Sequence, residues 1–166
     1  MKKFIVSLLL TTTMGVFSSD GQEVQNSGYQ FVLKNLLSHS VNEVSVEACD
    51  TTAIFLDARE WVEYDVSRLP GAIWVGYEDF DPERVAALDK SAKVVVYCSI
   101  GYRSEKIAER LDSAGFTDVS NLYGGIFEWK NQDRVVVTSN DQETEEVHGY
   151  SRIWAIWLKK GIVVFE

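Results

Sequence analysis

Basic charge is scarce in this sequence, and so are cysteine, histidine and long apolar runs. Sixteen Lys and Arg face 25 Asp and Glu, a formal net charge of −9. A surface of that sign repels nucleic acid and anionic membrane, and no basic stripe interrupts it, so no nucleic-acid partner is expected. An anionic substrate would need a local positive site. His39 and His148, the two histidines, share no ligand-like spacing with each other or with either cysteine, so no metal is expected. Neither GxGxxG nor a Gly-Lys-Ser/Thr phosphate loop is present, which leaves nucleotide binding without support, and no cofactor is expected. Internal repeats and low-complexity tracts are also missing. What remains, 166 residues with 46% hydrophobic and 25% charged, is ordinary for one compact domain with short extensions.

The apolar run from Phe4 to Phe17 contains three Thr and is short of the roughly 20 residues of a membrane span. Lys2 and Lys3 precede it and small polar residues follow, the layout of a secretory signal peptide over residues 1–18. Val16-Phe17-Ser18 is the best match to a cleavage site, and an uncleaved signal anchor is the alternative. The chain is therefore expected to be exported, to the bacterial periplasm.

Residues 19–43 read as a polar, mobile leader and a short amphipathic helix with Phe31, Val32, Leu36 and Leu37 near helical spacing. From 44 to 133, apolar strands alternate with helical segments. "VSV" (44–46), "TAIFLDAR" (52–59), "LPGAIWVG", "KVVVYC" (93–98) and "DVSNL" supply the strands. "EWVEYDVSR", "DPERVAALDK", "SEKIAERLDSAG" and "GGIFEWKNQ" supply the helices, with Asp81 and Pro82 starting one and Gly115 ending another. This alternation predicts a parallel sheet with helices on both faces. Residues 134–166 form an extension: a hairpin with an acidic return strand, then a short helix in "SRIWAIWLKKG". Trp154, Trp157 and Leu158 share one face of that helix, which is expected to dock on its own domain rather than on a membrane.

"YCSIGYRS" carries the chemistry. Cys98 stands at the end of the most β-branched strand, where ligands bind in open α/β sheets. Ser99, Ile100, Gly101, Tyr102 and Arg103 then lead to an expected helix start at Ser104. A tight turn there aims backbone N–H groups inward. The helix adds the positive end of its dipole, Gly101 gives the backbone room to curl, and Arg103 adds a full charge. Each feature favours thiolate over thiol and makes Cys98 the candidate nucleophile.

The chain resembles a single-domain rhodanese, a sulfurtransferase. The likeness lies in "FLDAREWVEYDVSRLPGAIWV", "VVVYCSIGYRSEKIAERLDSAGFTDV" and "NLYGGIFEW", in that order. It implies a five-stranded parallel sheet flanked by helices, with Cys98 carrying sulfur as a persulfide in the loop 98–103. It also implies a small anionic sulfur donor such as thiosulfate and a thiol, cyanide or protein acceptor, with no cofactor. Related phosphatases have five residues between Cys and Arg; the four here favour sulfur over phosphate. Where many members carry His before "PGA", this chain has Arg68-Leu69. The alternatives left open are a non-enzymatic persulfide carrier or partner-binding module, and behind these an arsenate reductase or phosphatase.

Asp57 and Arg59 end a strand on the same sheet edge as Cys98, as candidate pocket residues or as a salt bridge holding that edge. Ser99 and Ser104 read as hydrogen-bonding loop residues, with Ser104 placed to cap the helix or touch the sulfur. Gly124 and Gly125 read as a tight turn. Cys49 precedes its strand, and four or five extended residues span about 15 Å. A disulfide needs Cα atoms within about 7 Å, so Cys49 and Cys98 are expected to remain unbridged.

Overall fold

Val94, Val95 and Val96 form the middle of a five-stranded, wholly parallel sheet. The structure is a computed structural model that describes residues 22–165; the expected signal peptide, residues 1–18, lies outside the described residues. In chain order the elements are α1 (Ser27–Leu36), β1 (Asn42–Val44), β2 (Ile54–Asp57), α2 (Trp61–Val66), β3 (Ile73–Trp74), a 3-10 turn (Pro82–Val85), β4 (Lys93–Tyr97), α3 (Tyr102–Ser113), β5 (Asp118–Leu122) and α4 (Gly125–Asn131). The strand order is β1-β5-β4-β2-β3, which puts β4 at the centre.

The valines point alternately to two apolar layers. Val95 and Tyr97 pack with Tyr29 and Leu33 of α1 and with Ile126 and Phe127 of α4. Val94 and Val96 pack with Ile107, Ala108 and Leu111 of α3. A strand covered on both faces must be apolar at every position, which is why this one reads as an unbroken run. Each fully buried aliphatic side chain contributes about 1.5–3 kcal/mol of transfer free energy.

Several local expectations shift. α1 buries Tyr29 and Leu33, its C-cap Leu37 continues the same four-residue spacing into the core, and Phe31 is left 70% exposed. The stretch expected as a mobile leader is held down from at least Val24 onward. Val24 N–H donates to Gln30 Oε1, Gln25 N–H donates to Glu128 Oε1, and Asn26 caps α1 by accepting from Tyr29 N–H. "DPERVAALDK" forms only the 3-10 turn. Asp81 caps it as expected, but Val85 alone is buried there, too little anchorage for further turns. α3 begins at Tyr102, two residues before the expected start at Ser104, and its C-cap, Ala114, is exposed.

The extension starts with the expected hairpin, β6 (Val136–Val137) against β7 (Glu143–Thr144), and continues as β8 (Glu146–His148). β8 pairs in parallel with the final strand β9 (Ile162–Val164). The helix expected between them is a single 3-10 turn, Ala155–Trp157. Asn131 supplies the reason: its side chain donates to Trp157 O and accepts from Lys159 N–H, capping the segment before it can wind further. Trp157 stacks on Tyr29 with ring centroids 5.2 Å apart and Leu158 is buried, so the apolar stripe docks on its own domain. Among the described residues, no helix is long and apolar enough to cross a membrane.

Candidate active site

Cys98 is the first residue beyond β4, and α3 begins four residues later. The turn between them depends on Gly101, whose φ of 117° lies in the left-handed region that a side chain resists. From that position the Gly101 amide donates to Cys98 Sγ at 3.1 Å. Behind the loop, Ser104 Oγ donates to Asn121 Oδ1 (2.7 Å) and Asn121 Nδ2 donates to Gly101 O (3.0 Å). Ser104 thus braces the turn through β5, and its hydroxyl is engaged away from the sulfur.

α4 holds the other side. Ile126 N–H donates to Cys98 O at 2.9 Å and Phe127 N–H donates to Ser99 O at 3.2 Å. This requires glycine at 125, because a Cβ there would sit 2.3 Å from Cys98 O. The two glycines therefore do more than turn the chain: Gly125 lets the start of α4 press against the cysteine loop.

Arg103 is not the free charge that the sequence suggests. Its Nη1 donates to Glu63 Oε2 at 2.6 Å, and its Nη2 donates to Glu63 Oε1 at 2.8 Å and to Ser99 Oγ at 3.0 Å. Ser99 Oγ donates in turn to Glu63 Oε1 at 2.9 Å. Glu63 lies on α2, where its carboxylate also accepts from Glu60 N–H in a capping box. Burial pushes the Glu63 carboxyl up, but the hydrogen bonds and charge of Arg103 outweigh it and hold the pKa below the usual range. Burial likewise works against charge on Arg103, and Glu63 reverses it and raises the pKa. The guanidinium also lies under the Tyr150 ring, 4.7 Å from its centroid.

Asp57 and Arg59 lie outside the cavity. They pair with each other through Arg59 Nη2 and Asp57 Oδ2 at 2.6 Å, both fully buried, and Arg59 also donates to Ser67 O. They hold the strand end, the second of the two roles expected for them. Arg68, two residues before Pro70, stacks over Tyr64 at 4.4 Å and bridges to Val137 through its backbone.

A cavity of about 200 Å³ opens over the sulfur. The loop lines its floor through Cys98, Ser99, Ile100, Tyr102 and Arg103, and Leu36, Tyr150 and Trp154 form its remaining wall. All the loop residues expected at the site are brought together except Gly101, which acts through its backbone, and Ser104. Glu63, Leu36, Tyr150 and Trp154 escaped sequence reasoning. The one local signal for Glu63 was its place three residues after Glu60 at a helix start. Cys49 is buried at the opposite end of the sheet and both cysteines are free. Among the described residues, no cluster of His, Cys, Asp and Glu could hold a metal ion.

The model of the rhodanese-like domain family matches residues 40–132. A tRNA uridine(34) hydroxylase of Hamiltonella defensa is 34% identical over 116 residues, covering 67% of this chain and 32% of that protein. This chain spans less than a third of the length of that hydroxylase and of its Listeria monocytogenes counterpart. Among solved structures, a thiosulfate sulfurtransferase from Pseudomonas aeruginosa matches in fold with a TM-score of 0.55 and 23% identity, over 72% of this chain and 24% of that one. A protein from Anabaena sp. gives a TM-score of 0.50 with 28% identity, over 54% of this chain and 71% of that one.

Proposed function

The chain belongs to the rhodanese-like domain family, and from that premise we propose that it is a sulfurtransferase working through a persulfide on Cys98. The observation that carries this reading is the Gly101 amide aimed at Cys98 Sγ, inside a loop with four residues between Cys98 and Arg103. The Sγ thiolate attacks the outer sulfur of a donor such as thiosulfate. The donor's S–S bond breaks and its electron pair leaves on sulfite. The new Sγ–S bond carries its negative charge on the terminal sulfur, beside the Gly101 amide and the positive end of α3. A thiolate or cyanide then attacks that terminal sulfur, and the electron pair of the Sγ–S bond returns to Cys98. Both displacements balance without an external electron carrier. The short loop favours a sulfur atom over a tetrahedral phosphate, and the acidic surface disfavours a polyanionic partner such as tRNA.

Thiosulfate:cyanide sulfurtransferase activity of the full chain, with Cys98→Ala beside it, tests this directly. Turnover in the parent, background rate in the variant, and an intact mass heavier by one sulfur after donor treatment are expected. Parent turnover no higher than that of Cys98→Ala would overturn the enzyme reading. A persulfide that forms but passes only slowly to small acceptors would replace it with a sulfur carrier.

A further inference from the structure

The wall of the cavity that comes from outside the matched segment, residues 40–132, is wholly apolar or aromatic: Leu36, Tyr150 and Trp154. Together with Ile100 and Tyr102 it surrounds the approach to Cys98. The one cation in the lining, Arg103, has both terminal nitrogens engaged by Glu63 and Ser99 and one face covered by Tyr150. Glu63 and Arg103 sum to zero charge. A dianion entering here would lose its hydration against a cation already paired, with the Gly101 amide and the start of α3 as its main compensation. An apolar body would instead find an apolar and aromatic wall to cover, and an apolar cavity of about 150 Å³ already suffices for benzene.

Tyr150 is built into this arrangement. Its φ of 59° is a left-handed conformation that a tyrosine adopts only when held. His148 Nδ1 accepts its N–H at 3.1 Å, and the ring lies over Arg103. Trp154 packs against the main apolar layer beside α1. The extension thus serves as part of the site.

We propose that the wall formed by Leu36, Tyr150 and Trp154 selects sulfur donors that carry an aromatic or branched apolar group and a single negative charge, in preference to thiosulfate. This rests on the sulfurtransferase reading and names its substrate class. An aryl thiosulfonate fits the description. Cys98 thiolate takes its outer sulfur, the S–S bond breaks, and the electron pair leaves on the aryl sulfinate, with total charge unchanged.

The test compares benzenethiosulfonate with thiosulfate as donors to the full chain. Loading of Cys98 is followed by intact mass and kcat/KM by transfer to cyanide. The ratio of kcat/KM for benzenethiosulfonate over thiosulfate is expected to exceed about ten, the lower end of what one apolar group gains in a fitted pocket. Trp154→Ala and, separately, Tyr150→Ser are expected to lower that ratio several-fold, with circular dichroism confirming the fold of each. Tyr150 is 51% exposed, so its truncation keeps the test available if Trp154→Ala does not fold. A parent ratio of one or below, or a ratio unchanged in a folded variant, overturns the inference and leaves sulfur transfer standing. Failure of both donors to load Cys98 overturns the sulfurtransferase reading itself.

Discussion

Replacing Glu63 with glutamine removes one charge and almost no volume, and leaves the Arg103 guanidinium without a counter-ion. The carboxylate makes two contacts to Arg103, at 2.6 and 2.8 Å, and also accepts from Ser99 Oγ and Glu60 N–H. Both side chains are nearly excluded from solvent, with Arg103 at 10% and Glu63 at 2% exposure, so surface screening barely weakens the pair. Breaking a buried ion pair from one side costs about 3–5 kcal/mol, and glutamine, which keeps an acceptor oxygen, belongs at the low end. For a chain of this size each kcal/mol lowers Tm by about 2–4 °C, so a drop of about 6–12 °C at pH 7 is expected. The pH dependence has a definite sign. Because the folded pKa of Glu63 is depressed, its stabilisation is complete above the unfolded value of about 4.3. It is lost as pH falls through the lower folded value. Thermal unfolding followed by circular dichroism should therefore show a gap between parent and variant that is constant from neutral pH to about 5 and narrows in acid. Other carboxylates titrate in both proteins and cancel in the difference. Adding Arg103→Met to Glu63→Gln should recover much of the lost stability, because the orphaned charge goes with it. A drop below about 2 °C at neutral pH, or a gap that persists unchanged into acid, would refute this account of the pair.

Gly125→Ala would place a Cβ 2.3 Å from Cys98 O on a backbone with φ of 57°, so the start of α4 must withdraw from the loop. Left-handed strain of about 1–2 kcal/mol and overpacking of about 1–3 kcal/mol should appear in urea unfolding, with slower loading of Cys98 by sulfur donors. Wild-type stability and loading in that variant would show the contact to be dispensable. Burial, reinforced by the neighbouring Asp50 carboxylate, pushes the Cys49 thiol up to about 11. At pH 8 its thiolate fraction is then on the order of one in a thousand. Iodoacetamide should leave it unmodified in the native chain and alkylate it after denaturation, with peptide mass mapping as the readout. Rapid alkylation of native Cys49 would overturn that placement.

The cysteine loop was legible because its signals are contiguous: a valine run, a cysteine at its end, a glycine and an arginine within six positions. The five-stranded parallel sheet was legible for a related reason, since strands buried on both faces advertise themselves as apolar runs. What surrounds the loop was not. Glu63 lies 40 positions from Arg103, and its one local signal, the place three residues after Glu60 at a helix start, points to a cap and not to an arginine partner. The 3-10 turn at Ala155–Trp157 could not be told from a helix, because the Asn131 side chain that stops it comes from another element.

Those distant partners alter what the loop means. Cys98 and Arg103 taken alone describe a positive cradle for any small sulfur anion. With Glu63 and Tyr150 in place, the guanidinium holds α2, the loop and the extension together, and its charge is balanced before a donor arrives. In the proposed sulfur transfer, stabilisation of a terminal persulfide sulfur then falls to the fixed dipoles beside it, the Gly101 amide and the start of α3, which need no reorganisation when charge develops. Discrimination among donors, on the inference drawn above, falls to the apolar wall. On the proposed reading, nucleophile and selectivity thus lie on separate parts of the chain, with Tyr150, whose ring covers Arg103, as the tie between wall and loop.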